Sequence, residues 1–273
     1  MKSITATPSA SASASSPSLW RGFRVQMRVI GALLLRELHT RYGRDNVGYL
    51  WLIGEPLMLG SVIALLHTGQ ASHDGMNPVA FTVLGYCIFI MFRGIVNRSD
   101  GAYEGNVPLL YHRMVTMFDV SVARALLEAA GTFMSFIVLS TIIILLGYAT
   151  LPVRPLYVLL GIAYVLWLSM AISLIVVAAT YENTLIEKVV HPFTYFMIPI
   201  SGSFYQVQYV PQPYRDALMW IPLPHFFEIA RYGQFKGTNL EYVDFPYVTG
   251  VCLVLTLIGL LMMSTSRKRI HLR

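Results

Sequence analysis

Charge is scarce in this sequence: 12% of its 273 residues are Asp, Glu, Lys or Arg, about half the share of an ordinary soluble domain. With 55% of the residues hydrophobic, so little charge leaves no room for a large water-soluble domain, and the length is taken up by apolar spans of about 20 residues each. Cysteine is almost missing. Cys87 and Cys252 both stand inside apolar stretches, which excludes a disulfide framework and a thiolate metal site. A phosphate-binding G-x-x-x-x-G-K-[ST] loop is absent, as is any pair of aspartates two apart, so neither nucleotide hydrolysis nor sugar-nucleotide transfer has its usual equipment in this chain. The histidines are scattered, and His67, His191 and His225 stand near span ends, where a polar ring tip at the interface is their ordinary role. No catalytic residue and no metal ligand set is expected.

What the sequence does have is a sharp order along the chain. Residues 3–19 are Ser, Ala and Pro with almost nothing to bury, so residues 1–20 are expected to be a disordered tail. From Arg21 to Arg44 an amphipathic helix is expected: Phe23, Met27, Ile30, Leu34 and Leu38 fall within about 80° of one another at 100° per residue. Arg21, Arg24 and Arg28 take the opposite side, with Arg36, Arg41 and Arg44 further along. Such a helix lies in the membrane interface with its arginines near anionic headgroups; packing on a partner protein is the alternative.

Hydrophobic segments then follow at about 47–67, 78–98, 116–148, 155–179, 187–204 and 244–264. Placing the N-terminus in the cytoplasm puts sixteen Lys and Arg inside and leaves four outside, Arg154, Arg215, Arg231 and Lys236. The positive-inside rule therefore predicts both termini inside, and the net charge of +6 marks orientation rather than nucleic-acid binding. Residues 205–236 are too apolar for a free loop and too broken by proline to span, so a re-entrant hairpin of two short helices is expected there. Pro213 and Pro224 are read as helix starts, Pro222 as the end of the first helix, and Glu228 and Arg231 as an i,i+3 pair. The predicted fold is thus an all-α membrane protein of six transmembrane helices, with an N-terminal interfacial helix and a re-entrant hairpin before the last span.

Charges inside spans are the most informative residues, because an ionisable group in hydrocarbon costs about 3 kcal/mol or more unless paired, hydrated or snorkelling. Glu55, Arg93 and Glu128 qualify. Similar depth in antiparallel neighbours suggests a Glu55–Arg93 ion pair, with snorkelling as the alternative for Arg93, and Glu128 is four residues from Arg124, the spacing of an intrahelical pair. Pro56, Pro192 and Pro199 are candidate kinks.

The run LLLRELHTRYGRDNVGYLWLIGEPL, from Leu33 to Leu57, resembles the opening of the ABC-2 type permeases of capsular polysaccharide exporters, and IPLPHFFEIARYGQF resembles that family's hairpin before the last span. The likeness covers residues 21–273. It implies a half-transporter that pairs with a second copy of itself and docks a separate cytoplasmic ATPase, which carries the ATP and Mg that this chain has no cofactor site for. It further implies a lipid-linked, acidic polysaccharide as cargo, a periplasmic co-polymerase and an outer-membrane channel as partners, and residence in the bacterial inner membrane. By position, the loop around Asp100, Tyr103, Glu104, Leu109, Leu110 and Tyr111 would meet the ATPase. A sugar polymer calls for aromatic surfaces with polar tips, and Tyr195, Tyr205, Tyr209, Trp220, Phe226, Phe227 and Tyr232 cluster in the last third as candidate pathway residues. O-antigen and teichoic acid exporters share this architecture, and an ion-coupled secondary transporter or a membrane transferase are the readings from other classes.

Overall fold

A computed structural model describes residues 19–42, 46–69, 75–102, 104–106 and 115–270. Within them lie nine α-helices: α1 (Leu19–Tyr42), α2 (Asn46–Leu66), α3 (Pro78–Asn97), α4 (Met117–Leu145), α5 (Pro155–Glu182), α6 (Thr184–Ile200), α7 (Tyr214–Leu218), α8 (Pro222–Gln234) and α9 (Phe245–Ile270). No strand occurs among the described residues. The expected tail lies almost wholly outside them.

Local chemistry sets the helix starts. Pro78 and Pro155 occupy first-turn positions where a missing N–H costs nothing, and the Asn77 carboxamide accepts from the Val79 N–H at 2.9 Å. Thr116 and Asp119 form a reciprocal capping box at α4. One residue separates α5 from α6, and the Asn183 carboxamide caps α6 through the Leu185 N–H at 2.9 Å. The helices α2 and α6 continue through Pro56, Pro192 and Pro199.

Residue contacts fix the direction of each helix. Ser135 bonds to the Ile53 carbonyl and Gly60 meets Leu139, so α2 and α4 run parallel. Gly60 also meets Tyr86, while Gly94 lies beside Glu128 and Cys87 beside Thr132 and Phe136, so α3 runs against both. The α6 helix opposes α3, since Thr194 bonds Asn97 at one level and Ser203, just past the helix, meets Gly85 at another. Tyr164 to Thr249 and Trp167 to Thr256 align α5 and α9 in parallel. The helices α2, α3, α4, α5, α6 and α9 therefore alternate in direction. The α1 helix packs on the start of α4, and the end of α9 lies at that same end of the bundle.

Four of these helices contain segments long and apolar enough to cross a membrane: Pro78–Asn97, Met117–Leu145, Pro155–Tyr181 and Phe245–Ser266. Leu50–Leu66 of α2 is a shorter apolar helix, and α6 has 17 residues with Glu187, Lys188 and His191 in its first half. The α3 helix is the core of the bundle, touching α2, α4, α5, α6 and α8, and it contributes Phe92, Val83 and Val96 as fully buried side chains.

The hairpin segment holds two short helices, as expected, but its proline punctuation differs. Pro222 opens α8 instead of closing α7, because the chain turns at Ile221 and proline suits the first helical turn. The 13 residues of α8 run back along the start of α5: Gly233 lies against Val158 and Arg154, Gly161 against Phe226 and Ala230. A Cβ on Gly161 would stand 2.8 Å from the Phe226 carbonyl oxygen, so the absence of a side chain sets this helix spacing. Every residue from Leu223 to Arg231 is buried.

Candidate functional site

The buried face of α8 carries a saturated ion pair. Arg231, 1% exposed, donates from Nη1 to Glu228 Oε1 at 2.9 Å and from Nη2 to the carbonyls of Gly202 and Ser203, the latter at 3.0 Å. Its guanidinium stands 4.3 Å from the centre of the Phe81 ring, and Glu228 also accepts from the Val207 N–H at 3.2 Å. The expected i,i+3 pair is thus real and does more than pair: it fastens the segment after α6 to the start of α3. Ser203 reaches so close to Gly85 that a Cβ there would sit 2.0 Å from its carbonyl oxygen.

At the opposite end, α1, the turn after α3 and the start of α4 are joined by a second network. Arg124 Nε stands 3.0 Å from Glu37 Oε1, and Arg98 Nε 2.5 Å from Glu128 Oε1. Arg124 also donates to the Arg98 carbonyl at 3.1 Å, Gln26 to Asp119 at 3.1 Å, and Arg36 to Asn106. The intrahelical Arg124–Glu128 pair expected from spacing is replaced by these two partners, because each side chain turns towards a neighbouring element. The face of α1 that docks is Gln26, Ile30, Leu33 and Glu37, turned about 70° from the centre of the apolar stripe. Phe23 and Met27 therefore remain exposed with Trp20, and Arg21, Arg24 and Arg28 are exposed with them. The side chains of Arg41 and Arg44 lie outside the described residues.

Of the loop expected to meet a soluble partner, Tyr103, Leu109, Leu110 and Tyr111 are outside the described residues. Glu104 opens a single 3₁₀ turn, Glu104–Asn106. Asp100 sits 3.9 Å from His191 of α6, and burial, followed by the neighbouring Glu187 carboxyl, holds its own carboxyl above the usual range.

Between these ends stand the expected intramembrane charges Glu55 and Arg93. Glu55 on α2 is exposed, and the expected Glu55–Arg93 ion pair does not form. Arg93 turns the other way and lays its guanidinium 4.0 Å from the ring centre of Tyr195 on α6. Equal depth had suggested the pair, but depth does not fix the direction a side chain takes around its helix. Tyr86 on α3 is buried with its ring against Gly60 of α2, and its hydroxyl has no hydrogen-bond partner among the described residues. Glu55 and Tyr195 are thus exposed on the single chain, as are Met58, Leu59 and Val62 of α2 and Val189 and Phe196 of α6.

The remaining aromatic residues do not form one surface. Phe226 and Phe227 are core residues at 0% and 1% exposure, Phe226 stacking on Tyr164. Tyr232 packs edge-on against Tyr157 and under Arg154, whose guanidinium is 4.1 Å from its ring centre. Tyr205 is half-buried with its hydroxyl on the Ile200 carbonyl at 3.4 Å, while Tyr209 and Trp220 are exposed at the hairpin end. No three His, Cys, Asp or Glu among the described residues come together as metal ligands.

The family model described as ABC-2 type transporter matches residues 28–235. The chain is 34% identical to the capsule polysaccharide export inner-membrane protein CtrC of Neisseria meningitidis serogroup B over 256 residues, covering 93% of this chain and 97% of that protein. It is 33% identical to the capsule polysaccharide export inner-membrane protein BexB of Haemophilus influenzae, over 90% of this chain and 94% of BexB. The polysialic acid transport protein KpsM of Escherichia coli is 34% identical, over 89% and 95%.

Proposed function

Since the chain belongs to the ABC-2 type transporter family, we propose that it is the membrane subunit of an ATP-driven exporter that moves capsular polysaccharide, lipid-anchored and acidic, out of the cytoplasm across the bacterial inner membrane. Two copies work together, each with a separate cytoplasmic ATPase that supplies nucleotide chemistry, and a periplasmic co-polymerase and an outer-membrane channel complete the route. Capsule export is the role for which the relatives CtrC and BexB are named, and family membership counts against the ion-coupled and transferase readings. The six alternating helices are six crossings, with both termini in the cytoplasm and α7 and α8 re-entering from outside.

The reading is carried by the exposed Glu55 on α2 and the Arg93–Tyr195 contact between α3 and α6, which we take to lie along one open α2–α3–α6 face. An exposed carboxylate on an apolar helix is too costly to leave facing lipid, and Glu55 is such a group. Covering this face with the same face of a second copy would place Glu55, Arg93 and Tyr195 along a polar lane between subunits. Arginine and tyrosine suit an acidic sugar polymer, one by charge and the other by its ring face.

The test pairs topology with export. A cysteine at exposed Asn239 should label with an impermeant reagent in intact spheroplasts and one at Arg21 should not, the native Cys87 and Cys252 both being buried. Purification from cells making the polymer should bring an ATPase with the chain. Labelling of the Arg21 position alone would invert the orientation, and transport by the purified chain without any ATPase would remove the ATP-driven reading.

A further inference from the structure

At the hairpin end a cleft of about 670 Å³ opens between α7, the start of α8 and residues 241–247, a size in the range that holds small ligands. Its rim carries three carboxylates, Asp216, Glu241 and Asp244, all on exposed residues, and no Lys or Arg lines it. Asp244 gives one oxygen to the Tyr247 N–H at 3.0 Å, and the nearby Arg215 is engaged with the Tyr242 hydroxyl at 2.9 Å. Its walls are aromatic. Trp220, 78% exposed, stands at the mouth, and Tyr247 is held beside it through a 2.6 Å bond from its hydroxyl to the Trp220 carbonyl.

His225 closes the floor. Its Nε2–H donates to the Met219 carbonyl at 3.0 Å and its Nδ1 accepts from the Asp244 N–H at 3.3 Å, so the ring is neutral and fully engaged. The floor is thus a fixed partner of the backbone, and ligand recognition falls to the rim and walls.

We propose that this cleft is a binding site for uncharged sugar units of a polysaccharide. The carboxylates do not gather as ligands for one metal ion, so their spacing suits several donors spread over a larger ligand. A pyranose ring offers such donors in its hydroxyls and an apolar face for an indole or phenol ring. An anionic sugar is disfavoured, because three carboxylates without a basic residue would face its charge. A flat basic protein partner would match the charge but would not need a concave aromatic wall. The reading as an exporter supplies only the source of the ligand: an acidic polymer would present its uncharged units here on the outer side.

The purified chain with its ATPase partner, in nanodiscs, can be tested by saturation-transfer NMR. The probes are neutral gluco-, galacto- and N-acetylglucosamine oligosaccharides, oligogalacturonate of equal length, and pentalysine. At least one neutral oligosaccharide should receive saturation, while oligogalacturonate should bind at least tenfold more weakly. Trp220→Ala and the double variant Asp216→Asn, Glu241→Gln should each lose the neutral signal at least tenfold with the unfolding temperature unchanged, since all three residues are exposed. Binding that survives both variants, preferred binding of oligogalacturonate or pentalysine, or no neutral binding at all would overturn the proposal. Because the readout is binding, it stands or falls apart from whether the complex exports polymer.

Discussion

Two charged sites in this protein stand among apolar helices and are finished in opposite ways. Around Arg231 three hydrogen-bonded partners and an aromatic ring enclose the guanidinium, and Glu228 is shared with the Val207 N–H. Along α2, α3 and α6 the carboxylate of Glu55 is exposed, Arg93 lies over a half-exposed tyrosine ring, and the Tyr86 hydroxyl lacks a partner among the described residues. A saturated charge contributes to the fold and has nothing left to offer a ligand. An unsaturated one keeps its interactions for something the single chain does not supply.

The first way to test that contrast is to break the saturated site. Arg231→Met leaves Glu228 buried without its cation and the Gly202 and Ser203 carbonyls without their donor, a loss of about 3–5 kcal/mol by analogy with other broken buried pairs. Unfolding of the purified chain in detergent should show it, and Arg231→Met with Glu228→Leu should recover part of the loss. A smaller effect of the same kind is expected at Gly85: alanine there meets the Ser203 carbonyl at 2.0 Å, and the backbone shift should cost about 1–3 kcal/mol in the same unfolding measurement.

The open face should respond the other way. Glu55→Gln and Tyr195→Ala are expected to leave the unfolding temperature in place while export falls, measured as surface polymer against polymer retained in the cytoplasm. Tyr195→Phe, which keeps the ring over Arg93, should retain more export than Tyr195→Ala. If instead Glu55→Gln unfolds the chain as Arg231→Met does, the distinction between the two sites fails.

The smallest expected effect is on pH. The Asp100 carboxyl binds its proton more tightly in the folded chain than in the unfolded one, because of burial first and Glu187 second. Its contribution to stability is therefore present below the ordinary aspartate range and lost as pH rises through the raised folded value. Asp100→Asn should flatten that part of the stability profile, and an unchanged slope would show that the Asp100–Glu187 contact does not bind a proton.

The two sites also differ in how far their sequence discloses them. Glu228 and Arg231 are three residues apart on one helix, so helical geometry alone brings them together. Glu55 and Arg93 belong to different helices, and their relative rotation comes from packing, here from Gly60 against Leu139 and Tyr86, which no local pattern encodes. The same reason hid the Glu37–Arg124 and Arg98–Glu128 pairs, each made between separate elements. Helix positions were largely legible because apolar runs and proline starts are local signals. Pro222 was misread because a proline suits a helix start as well as a stop. Composition likewise could not separate Phe226 and Phe227, which fill the core, from Trp220, which stands in the open.

Passage of polymer along the α2–α3–α6 face, as proposed, is open to photo-crosslinking in living cells. A photoreactive residue in place of Tyr195, and separately in place of Tyr232, would be activated in cells that are making and exporting polymer. Tyr195 lies beside Arg93 on the open face, whereas Tyr232 is packed between Tyr157 and Arg154 at the hairpin end. Polysaccharide adducts are predicted at position 195 and not at 232; adducts at 232 alone, or at neither position during active export, would mean that the polymer does not pass along this face.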